Sequence, residues 1–335
     1  VRLEIAALAY IKLPHEVEGC ARSSTGIASF NCALTLVEFD SCRFIASFRM
    51  LCDFKTLASL REILFPMTID WHETEAQHYV CRRTPQPIAI DGDLSKPAWQ
   101  HATKSPRFVD MISGAPGMFN TQMAALWDDV NLYVAFWVEE PFVEAHLTER
   151  DSTIFQENDV EVFIDGGDCY YEFEINALNT VYEVFFVWQD AYLKKFNTPA
   201  YDVHSRQAFT FGGNHDRDAK TFWRGTHPRG LRWAFTDWDF AGLQTAVKVD
   251  GTLNDNADID KGWTVEIAFP WAGMAELANG RSVPPQAGDA WRIFFGRFGK
   301  VDIAGKPIGT SMSFGRVGDG DNHLPERFTR VTFAS

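Results

Sequence analysis

Phe155, Glu161, Glu172 and Glu174 are the residues whose types and spacing could do chemistry, all within FQENDVEVFIDGGDCYYEFEIN, residues 155 to 176. The stretch reads as two strands joined by a Gly-Gly turn. Side chains alternate along a strand, so Val160, Val162 and Ile164 share one face while Glu161, Phe163 and Asp165 share the other. On the second strand Tyr171, Phe173 and Ile175 oppose Glu172 and Glu174. An aromatic ring beside carboxylates suits a pyranose, whose axial C-H face stacks on a ring and whose hydroxyl rim needs fixed acceptors and donors. Arg292 or Arg297, on a later strand, would supply donors. Paired carboxylates also permit glycoside hydrolysis, one as general acid and the other as base or nucleophile. A third arrangement is a wet outward face, its carboxylates balanced by arginine.

The elements that must hold these residues are strands. TQMAALWDD (121 to 129) and NLYVAFWVEE (131 to 140) form a hairpin about Asp128 to Asn131, and the second strand is apolar on both faces, hence central in its sheet. The carboxylate hairpin follows, then VYEVFFVWQDAY (181 to 192), LQTAVKVDG (243 to 251), GWTVEIAFPW (262 to 271), a short helix from Trp271 to Ala278, GDAWRIFFGRF (288 to 298) and RFTRVTF (327 to 333). Pro85 and Pro87 cannot donate ladder hydrogen bonds, which places the segment before Asp91 at a sheet edge. A short turn of helix then ends on Trp99. Nine or ten strands with few helices make an all-β, antiparallel β-sandwich of the jelly-roll or immunoglobulin-like kind. Residues 197 to 240 are an unusually long connection, and its tryptophans predict a packed loop.

Residues 1 to 66 lack this strand-turn-strand grammar. Residues 1 to 69 are read as an N-terminal extension, with Met67 opening the functional unit, and residues 70 to 335 as the sandwich domain. The six cysteines (20, 32, 42, 52, 81 and 169), four of them in the extension, match no zinc spacing and are read as free or incidental thiols, the alternative being a disulfide framework in an oxidising compartment.

The 335 residues, 46% hydrophobic, suffice for a full core. A net charge of -14 argues against a nucleic-acid phosphate backbone or an anionic membrane surface as partner. No apolar run approaches the roughly 20 residues that span a bilayer, and the opening residues do not read as a secretory leader. An extracellular or periplasmic location is favoured.

The order of IDGDLSKPAW (90 to 99), LWDDVNLYVAF (126 to 136), NDVEVFID (158 to 165), YEFEIN (171 to 176), GWTVEIAFPW (262 to 271), GDAWRIFFGRF (288 to 298) and HLPERFTRVTF (323 to 333) resembles the family 9 carbohydrate-binding modules attached to xylanases or found alone. The resemblance covers about residues 80 to 333. It implies a non-catalytic sandwich that binds an oligo- or polysaccharide, often the end of a β-glucan or xylan chain, between aromatic rings, with a separately encoded glycoside hydrolase as possible partner. Phe155 holds the position of the first ring, Glu161 that of the hydroxyl-binding carboxylate, and Glu174 lies near a further polar contact, with Glu172 beside it. Where a second ring is expected, Asn322 and His323 stand instead of a tryptophan, and Trp223, Trp233 or Trp238 of the long segment would replace it. Structural calcium is implied too, and acidic turns offer ligands, chiefly Asp91 with Asp93 and Asp165 with Asp168. Haem binding, known in related sandwiches, is a further alternative, although no C-x-x-C-H occurs.

Overall fold

The structure is a computed structural model and describes residues 76–212, 227, 229–302 and 306–335. The expectations for the N-terminal extension, its four cysteines and Trp223 lie outside the described residues. Fourteen strands are described: β1 (His78–Arg83), β2 (Val109–Asp110), β3 (Thr121–Trp127), β4 (Asn131–Glu139), β5 (Asp159–Asp165), β6 (Cys169–Asn176), β7 (Val181–Trp188), β8 (Ala208–Phe211), β9 (Arg232–Phe235), β10 (Gln244–Asp250), β11 (Gly262–Pro270), β12 (Ala290–Asp302), β13 (Pro307–Ser313) and β14 (Thr329–Ala334). They hydrogen-bond in the order β10-β11-β4-β3-β1-β14-β12-β5-β6-β7-β9-β8, with β13 and β2 branching from β12.

This one sheet folds over on itself. β1 pairs in parallel with β14 along most of its length and with β3 only at Arg82 and Arg83, so it carries the ladder from one layer to the other. Alternating residues then meet across the layers. Val134 and Phe136 of β4 and Val265, Ile267 and Phe269 of β11 share a core with Val162 of β5, Phe173 of β6 and Phe295 of β12. Edge-on ring contacts tie the layers together, Phe136 to Phe295 with centroids 6.5 Å apart and Phe173 to Phe269 at 5.4 Å. The result is a mostly β sandwich with a few short helices, as the strand grammar predicts.

The outer face of the β3-β4-β11 layer is covered as well. Ile88, Leu94 and Trp99 pack there on Ala124, Leu126, Tyr133, Ala135 and Ala268, which is why β4 is apolar on both faces. The proline segment expected at a sheet edge forms no strand and instead crosses this face. Glu266 fixes it in place. Its buried carboxylate accepts from the Asp91 and Gly92 backbone N–H groups, from Lys96 Nζ and from Trp99 Nε1. The motif IDGDLSKPAW thus encodes a set of donors aimed at one acid on β11.

In the second layer the insertion supplies two strands: β9 pairs with β7, and β8 with β9. They extend the layer that carries the carboxylates. At the tip of the β5-β6 hairpin Gly167 has φ +75°, a left-handed conformation that glycine adopts at no steric cost. Cys81 and Cys169 are free, buried thiols, as expected.

Candidate functional site

The β5-β6 register decides which side chains meet. Glu161 faces Glu174 directly, Phe163 faces Glu172, and Asp159 faces Asn176. Neighbouring strands extend these rows on the same outer face, because directly paired residues point the same way. Gly296 of β12 and Tyr182 of β7 flank the Glu161-Glu174 pair, and Phe298 flanks Asp159. A side chain at Gly296 would collide with the rings of Phe294 and Phe298, so glycine there lets both rings close beside Glu161.

The outer face is roofed on either side of this spot. On one side Met111, Val317, Leu324 and Phe328 pack on Phe163 and Phe294. On the other, Phe211 joins Tyr170, Phe186 and Trp188. Between them a cavity of about 530 Å³ remains, lined by Phe155, Glu161, Glu172, Glu174, Tyr182, Phe186, Phe209, Phe211, Phe298, Asn322 and His323, with Gly320. That volume falls in the range of small-molecule sites.

The lining has an acidic wall and an aromatic rim. Asn322 Nδ2 donates to Glu161 Oε2 at 2.7 Å. His323 is boxed by rings: its centroid lies 5.1 Å from Phe163, 5.2 Å from Phe186 and 4.5 Å from Phe211. Its Nδ1 is 3.1 Å from the Tyr170 hydroxyl, its Nε2 is 3.8 Å from Glu172, and its carbonyl accepts from Arg232 Nη2 at 2.7 Å. Burial, aided by the Arg232 charge, pushes the His323 imidazole well below its ordinary range, so it is neutral. On the rim, Phe155 is 47% exposed and meets Tyr182 edge-on with centroids 5.6 Å apart. Phe209 is 42% exposed.

Glu161, Glu172 and Glu174 are buried, so the wet outward face balanced by arginine is not what forms. Burial first, and the charge of neighbouring acids second, Asp159 foremost, hold Glu161 and Glu174 well above the usual carboxylate range, and Asp159 is itself raised chiefly by burial. Glu172 is pushed up to about 8 by burial, against a hydrogen bond with Glu174 that lowers it. That bond raises Glu174 in turn. Protonated carboxyls both donate and accept, and so match hydroxyl groups in either sense.

Six of the expected binding residues therefore come together: Phe155, Glu161, Glu172, Glu174, Asn322 and His323. Others do not. Trp238 stacks on Phe185 at 4.7 Å and lies 5.3 Å from Tyr171, so it packs against the core between the layers. Trp233 pairs with Val187, whose side chain points inward, and it packs against the same core. Arg297 pairs with Val160 and shares its inward face, where it donates to Thr121 Oγ1, the Glu139 carbonyl and Glu140 Oε2. Period-two alternation separates it from Glu161, whose register partner is Gly296. Arg292 donates to the Glu326 carbonyl.

The acidic turns expected to hold calcium are two separate turns whose carboxylates have protein partners. Asp91 Oδ1 accepts from the Asp93 backbone N–H and pairs with Lys96, and Asp93 Oδ1 accepts from the Ser95 N–H. Asp165 Oδ1 accepts from the Gly167 N–H, while Asp168 pairs with Lys195 and Arg229. Sequence reasoning missed Phe209, Phe298, Tyr182 and Asp159. Only Asp159 carried a readable signal, lying two residues before Glu161 on the same strand face.

Residues 90–197 match the family model described as "Carbohydrate family 9 binding domain-like". The matched segment holds β3 to β7 and with them Phe155, Glu161, Glu172 and Glu174, so this part of the chain is similar to the family 9 carbohydrate-binding domains. Among solved structures, it is similar to a family 9 module from Caldicellulosiruptor kristjanssonii in complex with cellotriose (15% identity over 77% of this chain and 94% of that one, TM-score 0.43). It is similar to a glucose complex of a family 9 module from the same organism (15%, 77% and 96%, TM-score 0.42) and to a chain from Bacteroides uniformis (13%, 77% and 99%, TM-score 0.49). No curated protein matches the chain.

Proposed function

We propose that this protein binds carbohydrate without cleaving it, taking one end of a β-glucan or xylan chain into the cavity on the outer face of β5, β6 and β7. The observation that carries the reading is the convergence of Phe155, Glu161, Glu172, Glu174, Asn322 and His323 on one cavity from two distant parts of the chain. Phe155 offers its exposed ring to a pyranose face. Phe209, exposed on the same lining, is the candidate second ring that the residues around Asn322 do not supply. Glu161 and Glu174 take sugar hydroxyls, and Asn322 holds Glu161 in position.

The carboxyls favour binding over hydrolysis. A glycosidase needs one ionised carboxylate and one acid held apart by contrasting surroundings. Here burial raises Glu161, Glu172 and Glu174 together.

Affinity electrophoresis through gels containing soluble β-glucan or xylan tests the reading. Wild-type protein is expected to be retarded by at least one of them, and Phe155→Ala to run as in an empty gel. Equal retardation of the two proteins would displace the site from this cavity.

A further inference from the structure

Asp159, Glu161 and Glu174 each bring a carboxylate oxygen to within 4.8 Å of the others. All three side chains are buried, Asp159 completely. Asp159 Oδ2 and Glu174 Oε2 make no hydrogen bond among the described residues, and none of the three acids is in an ion pair there. Arg297, whose charge acts on Asp159, points to the opposite face and is engaged by Thr121, Glu139 and Glu140.

Three buried carboxyls this close together require compensating positive charge, as protons or as a metal ion. The donor set is oxygen only, which selects a hard cation. Calcium takes six to eight oxygens at about 2.3–2.6 Å, so ligands on opposite sides of it stand about 5 Å apart, whereas magnesium at about 2.0–2.1 Å demands a tighter shell. The observed spread leaves room for calcium. Glu161 and Glu174 also line the cavity, so an ion between them has an open side.

We propose that Asp159, Glu161 and Glu174 form a calcium site in the cavity wall, and that neighbouring hydroxyls of the bound sugar complete its coordination. The second half rests on the carbohydrate reading; the first does not. The site is distinct from the Asp91-Asp93 and Asp165-Asp168 turns, whose carboxylates already have protein partners.

The test starts from protein stripped with EDTA and titrated with calcium chloride in a calorimeter. Wild type is expected to bind one calcium, and Asp159→Asn and Glu174→Gln to bind it at least tenfold more weakly. The wild-type melting temperature is expected to climb with calcium concentration, a readout that does not depend on the variants folding. No binding at millimolar calcium, or the same affinity in both variants, overturns the site. Cellotriose is then titrated in calcium and in EDTA, with tighter binding expected in calcium. Equal affinity in the two solutions overturns the shared coordination and leaves the carbohydrate reading standing. Calcium binding with no binding of cellotriose or of xylan oligomers in either solution supports the ion site and sinks the carbohydrate reading.

Discussion

Glu161 stands directly across the β5-β6 ladder from Glu174, and both carboxyl groups are buried on a face where most sandwiches expose polar residues to water. Two charges so placed would oppose each other, and both groups are held protonated instead, at a cost that grows as pH rises above the ordinary carboxylate value. Glu174→Gln removes one of them while keeping the shape. In EDTA at pH 8 the variant is expected to melt a few degrees above wild type, since about 1 kcal/mol moves the midpoint of a domain this size by about 2–4 °C. Differential scanning calorimetry checks it.

The raised acids also set the sign of the pH dependence. Glu172 has an ordinary value of 4.5 and a folded value of about 8, so between these the native protein holds a proton that the unfolded chain has released. Stability from this group is full below the lower value and falls as pH rises through the window, by up to about 1.4 kcal/mol per pH unit. Asp165 and Asp321, raised chiefly by burial, act in the same direction. Metal-free protein is therefore expected to lose stability steadily from pH 5 to pH 8 in urea titrations. A flat or rising profile would contradict the protonated cluster.

Glu266 makes a separate prediction about the fold. Its carboxylate serves Lys96, Trp99 and two backbone N–H groups in a buried setting. Glu266→Ala leaves these donors and the Lys96 charge without their partner, and is expected to cost about 3–5 kcal/mol in denaturant unfolding. Lys96→Met leaves the Glu266 charge uncompensated and should also destabilise.

Position on the sheet separates binding from stability. Phe209→Ala is expected to weaken cellotriose binding while leaving the melting temperature within a few degrees of wild type. Arg297→Met, which strips Glu140 of a buried partner, is expected to destabilise by several kcal/mol while the folded protein binds normally. Calorimetric titration beside thermal unfolding distinguishes the two outcomes.

Much of this was legible in the sequence because alternation is a strong signal. Val160, Val162, Ile164, Tyr171, Phe173 and Ile175 all point into the core, as period two requires, and the carboxylates all point away. What escaped were β2 and β13, β8 and β9, the last two strands of four residues each separated by part of the long insertion, and β1, which is held by parallel pairing with the far end of the chain. No local pattern encodes such distant partners. For the same reason the tryptophans of the insertion were legible as packed but not as to where. Trp233 and Trp238 pack against the core, whereas Phe209, an inconspicuous residue on a short strand, reaches the cavity. Arg297, expected as a donor to the sugar, faces the core instead, because the register of β12 against β5 cannot be read from either strand alone.

The central claim is that the cavity beside Phe155 is a sugar site, and calorimetric titration of cellotriose into wild type and Phe155→Ala, matched for melting temperature, tests it most directly. The wild type is expected to bind saturably and the variant about tenfold or more weakly, because stacking contributes roughly 0.5–1.5 kcal/mol beyond the buried ring area and 1.4 kcal/mol is tenfold. Indistinguishable affinities, or no binding of cellotriose or xylan oligomers by wild type at millimolar concentration, would contradict the account.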